Sequence, residues 1–445
     1  MTSLTHLLAE PRHALARELA RVVPESAGGP GRGTVPDGPH AGGRATALSR
    51  LAAMDPLAYG QTRNHVAGAV TGLSPWIRHG VLSLAEVRDA ALARVSDPAQ
   101  AAKLVSELGW RDYWRQVYLA VGDAILEDLE APAARWRRTL LGFVPDDVRE
   151  ARTGMACIDA FVHRLHGTGW LHNHERMWLA SWLVHVRGVH WRAGADWFLE
   201  HLLDGDPASN HLSWQWVAGT FSAKPYLFNR ENLETFTSGS HCRECPAFGH
   251  CDVEGSYDDL AARLFAEPER PVERPPLRIS PAATAASSPA ASLSPAPSLA
   301  PAPRRPLVWL TLDSASATSP AAAAFPDAPR IFVLDPAWLA AERPAVKRLV
   351  FLCECLADVP GIELRLGDPH VVVPAHAATL GCDGVAVAET PCPRILRGIA
   401  SIRSTTPVAV MPWPPFCDRS RVRDLGRFSR FWQHVSTSAL RPTAS

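Results

Sequence analysis

The chain has 445 residues, enough for two or three separate cores, and 47% of them are hydrophobic. Its 45 basic and 45 acidic side chains give a formal net charge of zero, so overall charge supplies no drive toward nucleic acid. The first residues, MTSLTHLLAEPRHALAREL, lack the apolar stretch of a secretory signal, and the most apolar run, Met177 to Val189, is too short to span a bilayer and is broken by His185 and Arg187. A cytoplasmic monomer with no membrane association is expected, and in a reducing compartment its nine Cys point to metal binding or core packing before disulfides.

In chain order, residues 1–44 read as an N-terminal helix and a flexible Gly/Pro-rich loop, SAGGPGRGTVPDGPHAGGR. Residues 45–266 carry helical patterning almost throughout. SLAEVRDAALARV places Ser83 as an N-cap with Glu86 three residues on, a capping-box signature. MWLASWLVHV and DWFLEHLL follow with apolar residues at helical spacing. Residues 267–305 are dominated by Pro, Ala and Ser, which cannot bury a core, and read as a disordered linker. Beyond it the texture changes. LVWLTLD (307–313), RIFVLD (330–335), IELRLG (362–367), GVAVAE (384–389) and PVAVMP (407–412) are short apolar runs with helical stretches between them. Strands alternating with helices predict a Rossmann-like, doubly wound parallel α/β domain over 306–418. Residues 419–445 read as a C-terminal helix and tail. The fold class is therefore multidomain, all-helical and then α/β.

Seven of the 15 Trp fall between Trp170 and Trp216, several beside acids and amides, as in DGDPASNHLSWQW. Composition alone would make them core filling. The motifs that hold them argue otherwise. TGWLHNHERMWLASWLV, HWRAGADWFLEHLLDGDPASNHLSWQWVAGT and KPYLFN resemble the flavin-binding domain of the photolyase/cryptochrome family. Upstream, GGRATALSRLAAMDPLAYGQTRN, VTGLSPWIRHGVLS and ELGWRDYW are similar to that family's earlier motifs, in the same order. The resemblance covers about residues 42–237. The α/β part is similar, less closely, to the family's antenna domain. That domain comes first in the family and last here, so the chain resembles a circular permutation bridged by the linker.

The resemblance implies an FAD cofactor and blue-light-driven electron transfer that splits pyrimidine dimers in DNA; the other activity of the family is blue-light sensing without repair, as in cryptochromes. It places Tyr59, Thr71, Leu73, Ser74, Arg111, Arg176, Asp204, Asp206 and Asn210 at the FAD, with Asn210 facing flavin N5. Gly72 stands where the family's loop has Arg. Trp214 matches the Trp nearest the flavin and Trp191 the second in the electron relay. The third falls near Val148, where no Trp stands, and Trp136, Trp178 and Trp182 are the candidates to replace it. Glu107, Trp110, Asn173, Met177 and Trp216 match the contacts to a flipped-out dimer in damaged DNA.

HCRECPAFGHC presents Cys242, Cys245 and Cys251 at chelating spacing. By resemblance to the family's iron–sulfur bacterial branch, Cys157 is their fourth partner and the group a [4Fe–4S] cluster. Zinc held by these Cys with His241 or His250 is the alternative. The α/β part departs from the family: LVWLTLDSASATSP lacks the expected Arg-Arg-Asp, and no Gly-rich phosphate fingerprint follows a strand. This argues against an antenna chromophore.

Overall fold

A computed structural model describes residues 2–38, 40–137, 139–266, 276–281 and 303–442. Most of the expected linker lies outside the described residues. The part from 276 to 281 bonds to the chain near its end: Ile279 N–H donates to Asp424 Oδ1 at 3.1 Å, and Leu425 N–H to the Ile279 carbonyl at 2.7 Å.

Among the described residues, 44–264 form helices joined by loops, with a two-residue ribbon in which Arg135–Trp136 pairs with Phe265–Ala266 and an isolated bridge between Leu141 and Val189. The helices start where short polar side chains take the first free N–H groups. Asp206 accepts from Ser209 N–H at 3.3 Å and opens Pro207–Ala218; Asn229 opens Arg230–Thr237 in the same way. Ser83 accepts from Glu86 N–H at 3.0 Å, but Glu86 does not complete the expected capping box. Its carboxylate pairs with Arg44 at 2.5 Å, a charge-assisted bond stronger than the one it forgoes.

The five apolar runs form parallel strands: β4 (Pro306–Leu310), β5 (Arg330–Leu334), β6 (Ile362–Leu366), β7 (Gly384–Ala388) and β8 (Val408–Met411), numbered after β1 (Thr2–Ser3) and the ribbon strands β2 and β3. The order β1-β6-β5-β4-β7-β8 is doubly wound, with its switch point beside β4. Helices follow β5 and β6 at Asp-Pro steps. Asp335 and Asp368 accept the N–H two residues on at 2.8 and 2.9 Å, while Pro336 and Pro369 need no donor there. The sheet is not wholly parallel, because β1 joins β6 antiparallel at the edge. An edge strand leaves a row of N–H and C=O groups unpaired, and two residues from the chain start cover them.

The N-terminal segment continues onto the α/β unit. Arg12 pairs with Glu354 at 2.6 Å, and Gly42 and Arg44 N–H groups reach Glu354 and Asp358, both at 2.6 Å. One apolar core runs from Leu4, Leu15 and Leu19 through Trp76 and Leu108 to Val350, Phe351 and Phe431. At the switch point, Arg78 from the helical region bonds to Asp313 just after β4, and Asp313 also takes the Thr390 hydroxyl after β7. Gly80, in the left-handed region at φ +65°, has room for no side chain: a Cβ there would stand 2.2 Å from the Asp313 carbonyl.

Among the described residues, several imidazoles are buried and held toward the neutral form, His79 and His185 among them. Burial lowers His79 to about 3, with Arg78 and Arg348 adding to the effect, and burial lowers His185 to about 4. His185 accepts the Trp136 indole N–H at 3.0 Å and faces the Val217 carbonyl at 3.1 Å, an arrangement that suits one neutral tautomer. Both groups bind protons less tightly folded than unfolded. Between about 6.5 and the folded values the unfolded chain therefore carries more protons, and stability falls as pH falls. Urea midpoints should drop from pH 7 to pH 4.5, by about 2 kcal/mol for each imidazole, and His185→Gln should flatten part of the slope.

Candidate functional site

The helices Ala102–Val121, Asn173–Ser181, Trp191–His201 and Pro207–Ala218 surround a cleft with about 1220 Å³ of empty space, part of it open to solvent. Its wall is mostly aromatic and aliphatic, with polar groups at a few points, as ligand clefts are. Tyr59 and the turn Thr71–Ser74 form one side; Arg111, Arg176, Asp204 and Asn210 form another.

Asp204 anchors the polar part. Burial alone would raise its carboxyl, but Arg176, bonded at 2.9 Å, a contact from the Ser74 hydroxyl and nearby Arg111 outweigh it and hold the group below the ordinary carboxylate range. Oδ2 takes the Arg176 bond. Oδ1 is buried and has no donor at close hydrogen-bond distance. A buried carboxylate oxygen is costly unless well hydrogen-bonded, so this atom suits a ligand that brings a further N–H or O–H to it. Asn210 donates its amide N–H to the Ala195 carbonyl at 2.8 Å, which leaves its amide oxygen as the acceptor toward the cleft. Arg111 stands 3.7 Å from Asp206, and two guanidiniums at one cleft suit an anionic group such as a diphosphate.

The residues singled out in the sequence divide clearly by position. Tyr59, Thr71, Leu73, Ser74, Arg111, Arg176, Asp204 and Asn210 line the cleft, as do Glu107, Trp110, Asn173, Met177 and Trp214. Asp206 lines an adjoining cavity that shares Arg111 and is closed on its far side by Asp313 and Trp413 of the α/β unit. Trp191 is buried outside the cleft, its indole N–H on Asp128 at 2.6 Å. Trp216 is not in the cleft wall. It is half-buried against Tyr226, ring centroids 5.6 Å apart. Trp110 is in the wall but one face is covered: the Phe428 ring stacks on it at 3.8 Å and 12°. Gly109 beside it lets Trp432 approach so closely that a Cβ would stand 2.3 Å from that indole. The relay candidates lie elsewhere, Trp136 on His185, Trp178 against Phe161, and Trp182 under Arg187.

Two residues beside the cleft were not singled out in the sequence. Arg50 reaches the Thr71 carbonyl at 3.3 Å and lies over Trp76 at 5.6 Å. Its Nη1 would be 2.4 Å from a Cβ at Gly72, whose φ is +62°. A cation from a different segment thus lies against the loop at Gly72, and Gly72 itself was the signal that could have prompted the search. His40, from the Gly/Pro-rich loop, lies between the rings of Trp76 and Trp170 at 6.1 and 5.6 Å, and burial with Arg50 lowers it to about 4.

Cys157, Cys242, Cys245 and Cys251 line one small cavity of about 310 Å³ with His241. Burial pushes Cys157 up to about 12, and the other three thiols push the same way. The Ala156 N–H points to Cys245 Sγ at 3.4 Å. Among the described residues, no three His, Cys, Asp or Glu side chains meet closely enough to hold one metal ion. No described helix is long and apolar enough to cross a membrane.

Residues 104–239, which include most of the cleft wall, match the family model of the FAD binding domain of DNA photolyase. Deoxyribodipyrimidine photo-lyase of Streptomyces griseus is 37% identical over 166 residues, 36% of this chain and 35% of that protein. Cryptochrome DASH, chloroplastic/mitochondrial, of Ostreococcus tauri is 35% identical over 201 residues, 42% of this chain and 36% of that protein. The chain thus spans about a third of the length of these curated relatives. Among solved structures, the Synechocystis sp. PCC6803 cryptochrome superposes with a TM-score of 0.39 at 27% identity, over 44% of this chain and 43% of that one. The family-model match and the curated relatives together support kinship with the photolyase/cryptochrome family.

Removing Arg176 should leave Asp204 buried and short of its main partner. Arg176→Ala is expected to lower unfolding stability by about 2 kcal/mol, and Asp204→Asn in the same chain to recover much of it, read from urea denaturation.

Proposed function

We propose that this chain is an FAD-dependent, photolyase-like protein in which blue light drives electron transfer that splits pyrimidine dimers in DNA. The observation that carries the reading is the cleft itself. It gathers the buried carboxylate of Asp204, the guanidiniums of Arg111 and Arg176 and Trp214, all within the stretch 104–239 that matches an FAD binding domain, and adds the Thr71–Ser74 turn from upstream of it. FAD supplies light absorption and one-electron chemistry; the chain supplies position and polarity. Arg111 and Arg176 would hold the diphosphate, Asp204 a flavin or ribityl donor, and the Asn210 oxygen a proton-bearing ring nitrogen. Glu107, Trp110, Asn173 and Met177 would face the lesion. Light-dependent loss of a single cyclobutane thymine dimer from an oligonucleotide, against a dark control, tests this. Loss in the light alone supports repair; no loss with FAD bound and reduced rejects it.

A blue-light photoreceptor without repair is the second reading. It is favoured by the covering of Trp110 by Phe428 and by the contact of Trp216 with Tyr226, which leave the two lesion-stacking aromatics turned to the chain's own residues.

The order of the units, with an α/β part after the linker and residues Thr2–Ser3 completing its sheet, supports a permuted family member. The observation behind a [4Fe–4S] cluster, with zinc as the alternative, is that Cys157, Cys242, Cys245 and Cys251 line one cavity. Such a cluster would clamp the segment around Cys242 to the helix Ala156–Thr168. Iron should co-purify with the chain and fall in Cys245→Ser; equal iron in that variant would reject the cluster.

A further inference from the structure

Trp191 is almost wholly buried, and its one polar atom, Nε1–H, donates to Asp128 Oδ1 at 2.6 Å. The bond is short, as charge-assisted bonds are. Asp128 itself is exposed to solvent. The pair therefore links a buried indole to water through one carboxylate.

This carboxylate is held in place. Gln215, fully buried on the helix that carries Trp214, donates from Nε2 to the carbonyls of Ile125 and Glu127 at 2.9 Å, and its Oε1 takes the Leu129 N–H at 3.0 Å. Arg192 adds a bond to the Leu126 carbonyl at 2.9 Å. The loop 125–129 is thus pinned to the two helices that hold Trp214 and Trp191. Those helices touch closely. Gly194, one turn on from Trp191, packs against the Trp214 ring, where a Cβ would stand 2.3 Å from the indole.

Among the described residues, the rings in contact with Trp191 are His190 at 5.7 Å and His211 at 6.3 Å. The place where a third relay Trp is expected holds Val148, which is buried and has no redox chemistry. An electron vacancy that reaches Trp191 meets, at the indole N–H itself, a base.

We propose that Asp128 accepts the indole proton of Trp191 when that residue is oxidised, so that the relay ends by proton transfer at the second tryptophan. The proposal rests on the reading that Trp214 and Trp191 pass electrons to a bound flavin. One electron leaves Trp191 for Trp214 and replaces the one Trp214 has given to the light-excited flavin. The Nε1–H bond of Trp191 then breaks with its electron pair left on nitrogen, and the proton goes to Asp128 Oδ1. The products are a neutral indolyl radical, a carboxylic acid open to water and a flavin one electron richer, so charge and electrons balance. Neutralising the radical removes the charge that would draw the electron back, and the 2.6 Å contact is already within proton-transfer reach.

The test is transient absorption after a laser flash on the full chain loaded with oxidised FAD. Asp128→Asn keeps an oxygen for the indole N–H and so preserves the contact, but an amide is not a base at neutral pH. The wild type should form the neutral tryptophan radical with a solvent deuterium isotope effect. Asp128→Asn should keep the cationic radical at least tenfold longer and lose photoreduced flavin faster in the dark, and Asp128→Glu should restore the wild-type course. Bound FAD and circular dichroism show that each variant is folded. A neutral radical formed in Asp128→Asn as fast as in the wild type would overturn the role of Asp128. Absence of any tryptophan radical in the wild type, or an unchanged signal in Trp191→Phe, would instead overturn the relay and the role together.

Discussion

The helix Val346–Ala357 buries side chains all around its axis, from Leu349 and Phe351 to Lys347 and Arg348. A helix buried on nearly every side has to be enclosed, its charges answered as well as its apolar groups, and the rest of the architecture follows from that need. The segment from Leu4 to Leu19 shares its core, and Trp76 and His79 of the helical region meet Phe351, each with ring centroids 5.5 Å apart. Even its charges are answered across unit boundaries: the Lys347 ammonium donates to the carbonyls of Gly31 and His166 at 2.7 and 2.8 Å. The helical and α/β parts are therefore one packed body despite the long Pro/Ala/Ser stretch between them.

That enclosure also shapes the cleft. Arg78 and Gly80 fix the helical region at the sheet's switch point, where doubly wound sheets commonly leave a crevice for ligands. Here a guanidinium fills part of that crevice, and the cavity beside it shares Arg111 with the main cleft. The cavity at this junction and the candidate cofactor space therefore share one cation, Arg111. On the opposite side, Phe428 and Trp432 from the chain's last helix lie on Trp110 and Gly109. Residues far apart in sequence thus set how much of the cleft is open.

The five parallel strands were legible because β-branched and apolar residues cluster in runs bounded by Asp-Pro, Gly and Pro. The cleft was legible for a different reason: motif register placed Asp204, Asn210 and Trp214 at one site although their helix has no strong amphipathic pattern. What could not be read is contact between distant segments. Thr2–Ser3 has no periodicity to mark it as a strand; only the open edge of β6 makes it one. Trp216 lies against Tyr226 and Trp110 against Phe428 because of packing that no local pattern carries. Arg50 carried no individual signal, and its place against Gly72 emerges only when its helix and the loop before Ser74 are assembled. Glu86 was assigned to a local cap and is drawn off by Arg44, a competitor 42 positions away.

The pairing of Thr2–Ser3 with β6 has a consequence for biosynthesis. The Leu4 N–H bonds to the Leu364 carbonyl, and Leu15 and Leu19 share a core with Val350 and Phe351. A ribosome releases the first of these partners long before it makes the second. The opening helix must wait, its leucines uncovered, until the α/β half emerges, and loop closure across almost the whole chain then completes the sheet. A nascent chain of this kind carries an exposed apolar face for most of its synthesis, which makes its early half the stretch most prone to association with other chains.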